Sequence, residues 1–412
     1  MAPVPESAPS PPVSWVSALT ATLLMQTVAS LLSQSLTVLA PLLTGRAGLP
    51  PETVGHLSAL SSFGSMLFFV FGAPLLERFG PLRTLQAGVL GASLGLGVAA
   101  LGSTAALLAS ALLIGIGYAP TTPAGSRLLM ATAPARHRTL IFSVKQAGAP
   151  LGGALCGVTV APVASWAGGG AAMLLAIALA WLTVLALQPL RPALDADRER
   201  ERDIRPAVLF SRANVTAPFA ALRLHPLLPA LTLMAFSLAA SQGCFFAFSV
   251  TWMTVHQGLS LVQAGTVFAV ALTCGAFARI LLGWLADRTG TGLLNLGVQG
   301  VVAAAAAAGF ALIPAGTPYP AMLLAGGLAG ALIASWNGIF QAEVARLVPP
   351  ARVGVATAGS TTLCFLGYVA GPALFAPAVS LSGSWLLPQM LAAAQLAAIS
   401  LALLVLVLRR GR

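Results

Sequence analysis

An all-α integral membrane protein with twelve transmembrane helices is the fold class that this 412-residue sequence predicts. Two observations carry that expectation. The chain is 58% hydrophobic and only 8% charged, whereas soluble domains carry roughly 25% charged residues. The charges are also gathered into short intervals: residues 7–45, 53–76, 84–126, 146–190, 224–278, 289–342 and 353–408 contain no Asp, Glu, Lys or Arg. A helix needs about 20 apolar residues to cross a hydrocarbon core of about 30 Å. The first two intervals therefore hold one crossing each and the other five hold two each.

The spans fall at 15–42, 54–76, 83–102, 105–131, 139–165 and 170–189, then at 227–255, 261–286, 292–314, 319–345, 354–380 and 384–408. The net charge of +11 follows this topology. Eighteen of the 21 Lys and Arg residues lie in alternate connections, at Arg78 and Arg83, Arg127 to Arg138, Arg191 to Arg223, Arg288, Arg346 and Arg352, and Arg409 to Arg412; the opposite connections hold only Arg46. This asymmetry is the positive-inside pattern, which puts both termini and the long central connection in the cytoplasm of a bacterial inner membrane. Nucleic acid is not implied as a partner, and the lipid bilayer is.

Residues 1–14, rich in Pro and Ser and lacking Lys and Arg, read as a disordered tail rather than a cleaved leader. Two six-helix halves, 15–189 and 227–408, are joined by a cytoplasmic linker at 190–226, and 409–412 forms a short tail. The interleaved charges of DADRERERDIRP suit a solvated short helix or a flexible tether. Cys156, Cys244, Cys274 and Cys364 all fall inside apolar spans and read as buried thiols. No phosphate loop, metal-ligand cluster or catalytic triad spacing is present, so neither enzyme activity nor a cofactor is expected.

A local repeat supports the two-half plan. GAPLLERFGPLR (72–83) follows the second span and GWLADRTGTG (283–292) follows the eighth, aligning Glu77 with Asp287 and Arg78 with Arg288. The fifth span carries GAPLGG (148–153) and the eleventh GYVAGP (367–372), small residues that let helices approach closely. Internal repeats of this kind are a transporter trait.

With its Gly-x-x-x-Asp-Arg-x-Gly loop after span 8, a degenerate copy after span 2 and Gly-Pro elements in spans 5 and 11, the chain resembles the major facilitator superfamily from about residue 15 to 408. The resemblance implies two pseudo-symmetric six-helix bundles working by alternating access on a small-molecule substrate, and the expected unit is a monomer. AFARILLGWLADR (276–288) is similar to the eighth span of the superfamily's anion carriers, including the monocarboxylate, oxalate/formate and nitrate/nitrite groups, in which an Arg at this place contacts the anion; SVKQAGAPLGG (143–153) and SWNGIFQAEVARLVP (335–349) are similar to stretches of bacterial transporters associated with cyanate-type and related anion carriers. The fourth span, GIGYAPTTPAG (115–125), lacks the mid-helix Arg common in proton antiporters.

Two charges fall at lipid depth, where a charge costs at least about 2.5–3.5 kcal/mol and marks a candidate functional site. Lys145, the only lysine of the chain, lies about six residues inside span 5, and Arg279 lies eight residues before Asp287 in span 8. The resemblance implies that spans 5 and 8 face each other across the cleft. At about 6 Å and an effective dielectric near 20, their repulsion would be on the order of 3 kcal/mol, and an anion between them would relieve it.

Polar residues complete the expected site. Gln26, Ser30, Ser33 and Gln34 form one stripe of span 1; Ser237, Ser241 and Gln242 lie in span 7, and Asn337 and Gln341 in span 10. Such stripes face either a cavity or a neighbouring helix. The resemblance implies that spans 1, 4, 7 and 10 line the cleft. Gln146, Tyr118, Trp336 and Tyr368 are further substrate-binding candidates. Glu77, Arg78, Asp287, Arg288, Glu343 and Arg346 sit at cytoplasmic span ends and are expected to gate access through ion pairs between the halves.

The expected function is secondary transport of a small anion, an organic carboxylate, with a co-transported proton, anion exchange or no coupling as the open modes. Efflux of a drug or other hydrophobic solute is the alternative within the same fold, disfavoured because no acidic residue lies deep in a span. A membrane sensor or scaffold with a transporter-like body is the alternative from another class.

Overall fold

The computed structural model describes residues 14–134, 138–349 and 352–410. The expected tail at 1–14 lies outside the described residues except for Ser14, whose hydroxyl caps the first helix by accepting from the Val16 amide. Arg136 and Arg412 also lie outside them.

Among the described residues, eleven continuous segments are long and apolar enough to cross a bilayer. Ten are single crossings. We number them α1 (Trp15–Val38), α2 (Pro51–Phe71), α3 (Pro81–Ala99) and α4 (Thr104–Thr132) in the first half. In the second half they are α7 (Leu228–Val255), α8 (Leu261–Thr289), α9 (Gly292–Ala311), α10 (Tyr319–Arg346), α11 (Val353–Ser382) and α12 (Leu386–Arg409). The remaining segment, Ile141–Leu194, has 54 residues. At 1.5 Å per residue it would be roughly 80 Å long, far beyond one bilayer. It is divided at Gly168, where φ is 86° and ψ is 161°, a conformation that a residue without Cβ adopts at little cost. The two crossings are α5 (138–167) and α6 (169–187), which brings the total to twelve.

Where the observed spans depart from those expected, backbone chemistry explains it. The second span was expected to continue to 76; instead α2 ends at Gly72 and a short helix, Ala73–Phe79, follows before the positive-φ turn at Gly80. The fourth helix of each half is broken in mid-membrane: α4 at Ala119 and Pro120, and α10 between Ile333 and Asn337. Irregular backbone at this depth is tolerated only where protein or a polar cavity satisfies it.

The halves are built alike. In the first, α1 packs on α5, and α2 and α3 pack on α4; in the second, α7 packs on α11, α8 on α10 and α9 on α12. Glycine makes these approaches possible. A Cβ at Gly115 of α4 would overlap the Ser61 carbonyl of α2, and one at Gly330 of α10 would overlap the Ala271 carbonyl of α8. Likewise Gly152 of GAPLGG lies against the Thr27 carbonyl of α1, and Gly367 of GYVAGP against the Phe236 carbonyl of α7. The sequence repeat is thus a repeat of helix contacts.

Between the halves, α2 packs on α11 and α5 on α8. Along the second seam α5 adopts a π-helical turn, Cys156–Val160, and Gly157 meets Gly265 backbone to backbone. The halves also meet firmly at the end of the bundle away from the termini. There Phe248 of α7 stacks on Phe375 of α11 at 4.2 Å beside Ala40 and Val54, and the Ser380 hydroxyl donates to Glu52 at 2.7 Å.

The 190–226 connection is a docked element rather than a free tether. Asp195 accepts from the Leu82 and Arg83 amides at 2.7 and 3.0 Å, capping the first turn of α3. Arg202 pairs with Glu77 at 2.7 Å, Asp197 pairs with Arg127 at 3.0 Å, and Phe210 packs on Phe71. The helix Arg212–Ala221 then lies on α11, with the Pro218 carbonyl and Ala221 against Gly359.

Substitution tests the glycine seams. Gly115→Ala is expected to cost about 1–3 kcal/mol or more, because the added methyl meets backbone that cannot move aside. Gly91→Ala, which meets nothing within 4 Å, is expected to leave stability unchanged or to raise it by up to about 1 kcal/mol. Thermal unfolding of the detergent-solubilised variants checks both.

Candidate functional site

A cavity of about 290 Å³ lies between the halves, walled by residues of α1, α2, α4, α5, α7, α8, α10 and α11. That volume is near the lower end of the range of about 300–1,000 Å³ for small-molecule sites. Among the described residues Arg279 is the only charged one in its lining, and no Asp or Glu takes part.

Arg279 is placed by a break in a neighbouring helix. Where α10 leaves helical geometry, the Ala334 carbonyl accepts from Arg279 Nη2 at 3.0 Å. The buried Nε of Arg279 has no hydrogen-bond partner, and no carboxylate of the described residues pairs with the guanidinium. A backbone carbonyl offers dipole but no charge, so the cation keeps donors and net charge for something else in the cavity.

Around it stands a polar wall. Tyr368 donates to Gln242 Oε1 at 3.1 Å, and Trp336 Nε1 donates to the same oxygen at 2.7 Å. Tyr118, Gln146, Asn337, Gln341 and all four residues of the α1 stripe, Gln26, Ser30, Ser33 and Gln34, line the cavity. Ser30 also donates to the Ala149 carbonyl at 2.6 Å, tying α1 to α5.

Two expected substrate contacts are not in the lining. Trp336 is fully buried behind Gln242, where it orients that carboxamide from the rear. Lys145 is 1% exposed and lies against Gly125 of α4 beside Thr22 of α1, within the first half. It reaches the cavity only through Gln146, whose Oε1 accepts from Lys145 Nζ at 3.1 Å and from Gln26 Nε2 at 3.3 Å. The picture of two cations facing each other is corrected here: Gly125 leaves room for the lysine to fold away from α8. Ser237 and Ser241 also turn away, bonding to Gln395 and the Ala392 carbonyl of α12.

The expected ion pairs between halves are corrected as well. Glu77 pairs with Arg202 of the linker, and Arg78 donates to the Arg202 carbonyl at 2.7 Å. Asp287 and Glu343 share Arg346 at 3.1 and 2.6 Å, while Arg288 lies over the Trp284 ring at 5.2 Å. Among the described residues no ion pair joins the two bundles, because each acid has a nearer cation in its own half or in the linker.

One set of lining residues escaped the sequence reading. Ser58, Ser61, Ser62 and Ser65 of α2 all face the cavity. Their spacing of i, i+3, i+4 and i+7 is a helical stripe in an apolar span, the same signal that singled out α1. Ser65 donates to the Gly115 carbonyl at 2.9 Å.

A model of the family described as the Major Facilitator Superfamily matches residues 22–372. An uncharacterised MFS-type transporter of Mycobacterium tuberculosis is 25% identical over 343 residues, 82% of this chain and 73% of its own length. A probable galactarate/D-glucarate transporter of Escherichia coli is 26% identical over 285 residues, covering 59% of this chain and 60% of that protein. Among solved structures, a nucleoside transporter superposes with a TM-score of 0.73 at 13% identity, covering 94% of this chain and 99% of the other. A bacterial homologue of the human lysosomal transporter Spinster, in an inward-facing and unoccupied conformation, gives 0.67 at 17%, covering 97% and 96%. The helix order, the paired halves and the family match lead to one conclusion: the chain belongs to the major facilitator superfamily, as a multi-pass membrane transporter of a small-molecule substrate.

Proposed function

We propose that this transporter carries a small organic anion, a hydroxylated carboxylate, across the bacterial cytoplasmic membrane by alternating access, with Arg279 as its anchor. The observation that carries this reading is the lone cavity cation without a resident counter-charge. A guanidinium binds carboxylate through paired, charge-assisted hydrogen bonds, each worth about 1.5–3 kcal/mol.

The rest of the wall supports a hydroxylated cargo. Ser33, Ser58, Ser61, Ser62, Thr122 and Thr361 border the cavity, and their hydroxyls bond to no other group among the described residues. Such hydroxyls can donate to and accept from the hydroxyls of a solute. The probable galactarate/D-glucarate transporter among the relatives agrees with this chemistry. Because one chain lines the cavity from both halves, the monomer is the proposed working unit. The arginine asymmetry supports cytoplasmic termini, and the clusters around Glu77, Arg78, Asp287, Arg288, Glu343 and Arg346 are the proposed elements that rearrange as access alternates.

Arg279→Gln is expected to weaken D-glucarate binding by about 10- to 100-fold, and Arg279→Lys to give a smaller loss because a point charge replaces a planar fork. A thermal-shift panel of carboxylates, neutral sugars and cationic drugs on wild type and variants tests the reading; selective stabilisation by cations or neutral sugars overturns it.

The paired substitution Ser61→Ala and Ser62→Ala is expected to lower affinity for D-glucarate by about 2- to 10-fold, leaving that for adipate, which has the same chain length without hydroxyls, unchanged. Isothermal titration with both acids separates hydroxyl recognition from charge recognition. Orientation is tested by reporter fusions at residue 200, which are expected to be active only with a cytoplasmic reporter.

A further inference from the structure

The lysine behind the cavity wall has the makings of a second site. Its ammonium is sealed among α1, α4 and α5, and its one hydrogen-bond partner among the described residues is the Gln146 carbonyl oxygen at 3.1 Å. The space it fills exists because residue 125 is glycine: a Cβ there would come within 2.6 Å of Lys145 Cε. Helix α1 carries no ionisable side chain. On α4 the ionisable groups are Tyr118, which lines the cavity, and Arg127, which pairs with Asp197. On α5, besides Arg138, there is Cys156, which meets Ser35 at 3.6 Å. None of the described groups supplies a negative charge to Lys145.

Gln146 belongs to both environments. Its oxygen points at Lys145, while its side chain forms part of the cavity wall. An ammonium has three donors and no acceptor, so a charged Lys145 can hold only the oxygen of Gln146. The amide NH₂ of Gln146 is then the end left for the cavity. A neutral amine has a lone pair and can accept from that NH₂, which allows the carboxamide to turn and present its oxygen instead.

We propose that Lys145 is the proton-binding group of the transport cycle, and that its charge sets whether Gln146 offers the cavity a hydrogen-bond donor or an acceptor. This rests on the anion reading above. With the proton on Lys145, the cavity presents Gln146 as a donor beside Arg279 and binds the anion; when the proton leaves to solvent, the acceptor end and the lost charge expel it. Because linkage is reciprocal, anion binding draws a proton onto Lys145 to the same degree. Gln26 steadies the switch: its Nε2 donates to Gln146 Oε1, and its own buried Oε1 has no partner, leaving an acceptor at hand when the Gln146 NH₂ swings round.

The only lysine of the chain makes a direct test practical. Full-length protein labelled with ¹³C-lysine in lipid nanodiscs gives one side-chain Cε resonance, absent from Lys145→Arg. That resonance is expected to change with pH and to shift toward the protonated position when D-glucarate is added. Calorimetric titration in two buffers of different ionisation enthalpy should show proton uptake with binding, affinity falling by up to about tenfold per pH unit. Lys145→Arg, permanently charged, and Lys145→Met, permanently neutral, should both bind without proton uptake, the first more tightly than the second. A resonance that stays protonated throughout, or proton uptake that persists in Lys145→Met, overturns the proposal. A titrating resonance in a wild-type protein that binds no carboxylate would instead reject the anion reading and support the proton site.

Discussion

In hydrocarbon there is no solvent to repair a polar group that the protein leaves unmet, so every irregularity in the buried backbone has to be matched by something from inside the fold. The break in α10 is such an irregularity, and Arg279 is what meets it. The contact works both ways: the carbonyl is satisfied and the long side chain is held still. Yet the exchange is electrically incomplete, since a carbonyl dipole cannot cancel a full charge. That mismatch at one point is the ground for the anion proposed as cargo, and the helices around it pack closely through glycine.

Much of this was legible in the sequence because the bilayer imposes a coarse, periodic code. Charge-free intervals counted the crossings, and the repeat around Glu77 and Asp287 and around Gly152 and Gly367 marked the two halves. The α1 polar stripe and the depth of Arg279 were readable for the same reason: polar atoms in an apolar span need a partner or a cavity. What the sequence could not convey was which way a side chain turns once it is buried. Lys145 and Arg279 look equivalent by depth, but Gly125 on α4 leaves the space in which one of them packs within its own half. Ser237 and Gln242 lie on one helix, yet the first serves α12 and the second the cavity. The partners of Glu77 and Asp287 were likewise hidden, because they depend on where a linker of mixed charge comes to rest.

The polar interior is also economical in its use of residues. Gln242 Oε1 accepts from both an indole and a phenol, and Gln146 Oε1 from both an ammonium and an amide. Shared acceptors of this kind couple groups on different helices: Gln242 links α7 to α10 and α11, and Gln146 links α5 to α1. A change at one donor is felt by the other through the common oxygen. Each half therefore contains one carboxamide that gathers its neighbours beside the cavity, and neither relies on a carboxylate to do so.

The docked linker bears on how such a molecule can move. It is fastened to the first bundle at Phe210, which rests on Phe71 at the end of α2, and to the second bundle at Pro218 and Ala221, which lie on Gly359 of α11. Of the seven residues between these attachments, six belong to the helix Arg212–Ala221. So short and largely helical a tie leaves little slack, and it holds the neighbouring ends of α2 and α11 together like the spine of a book.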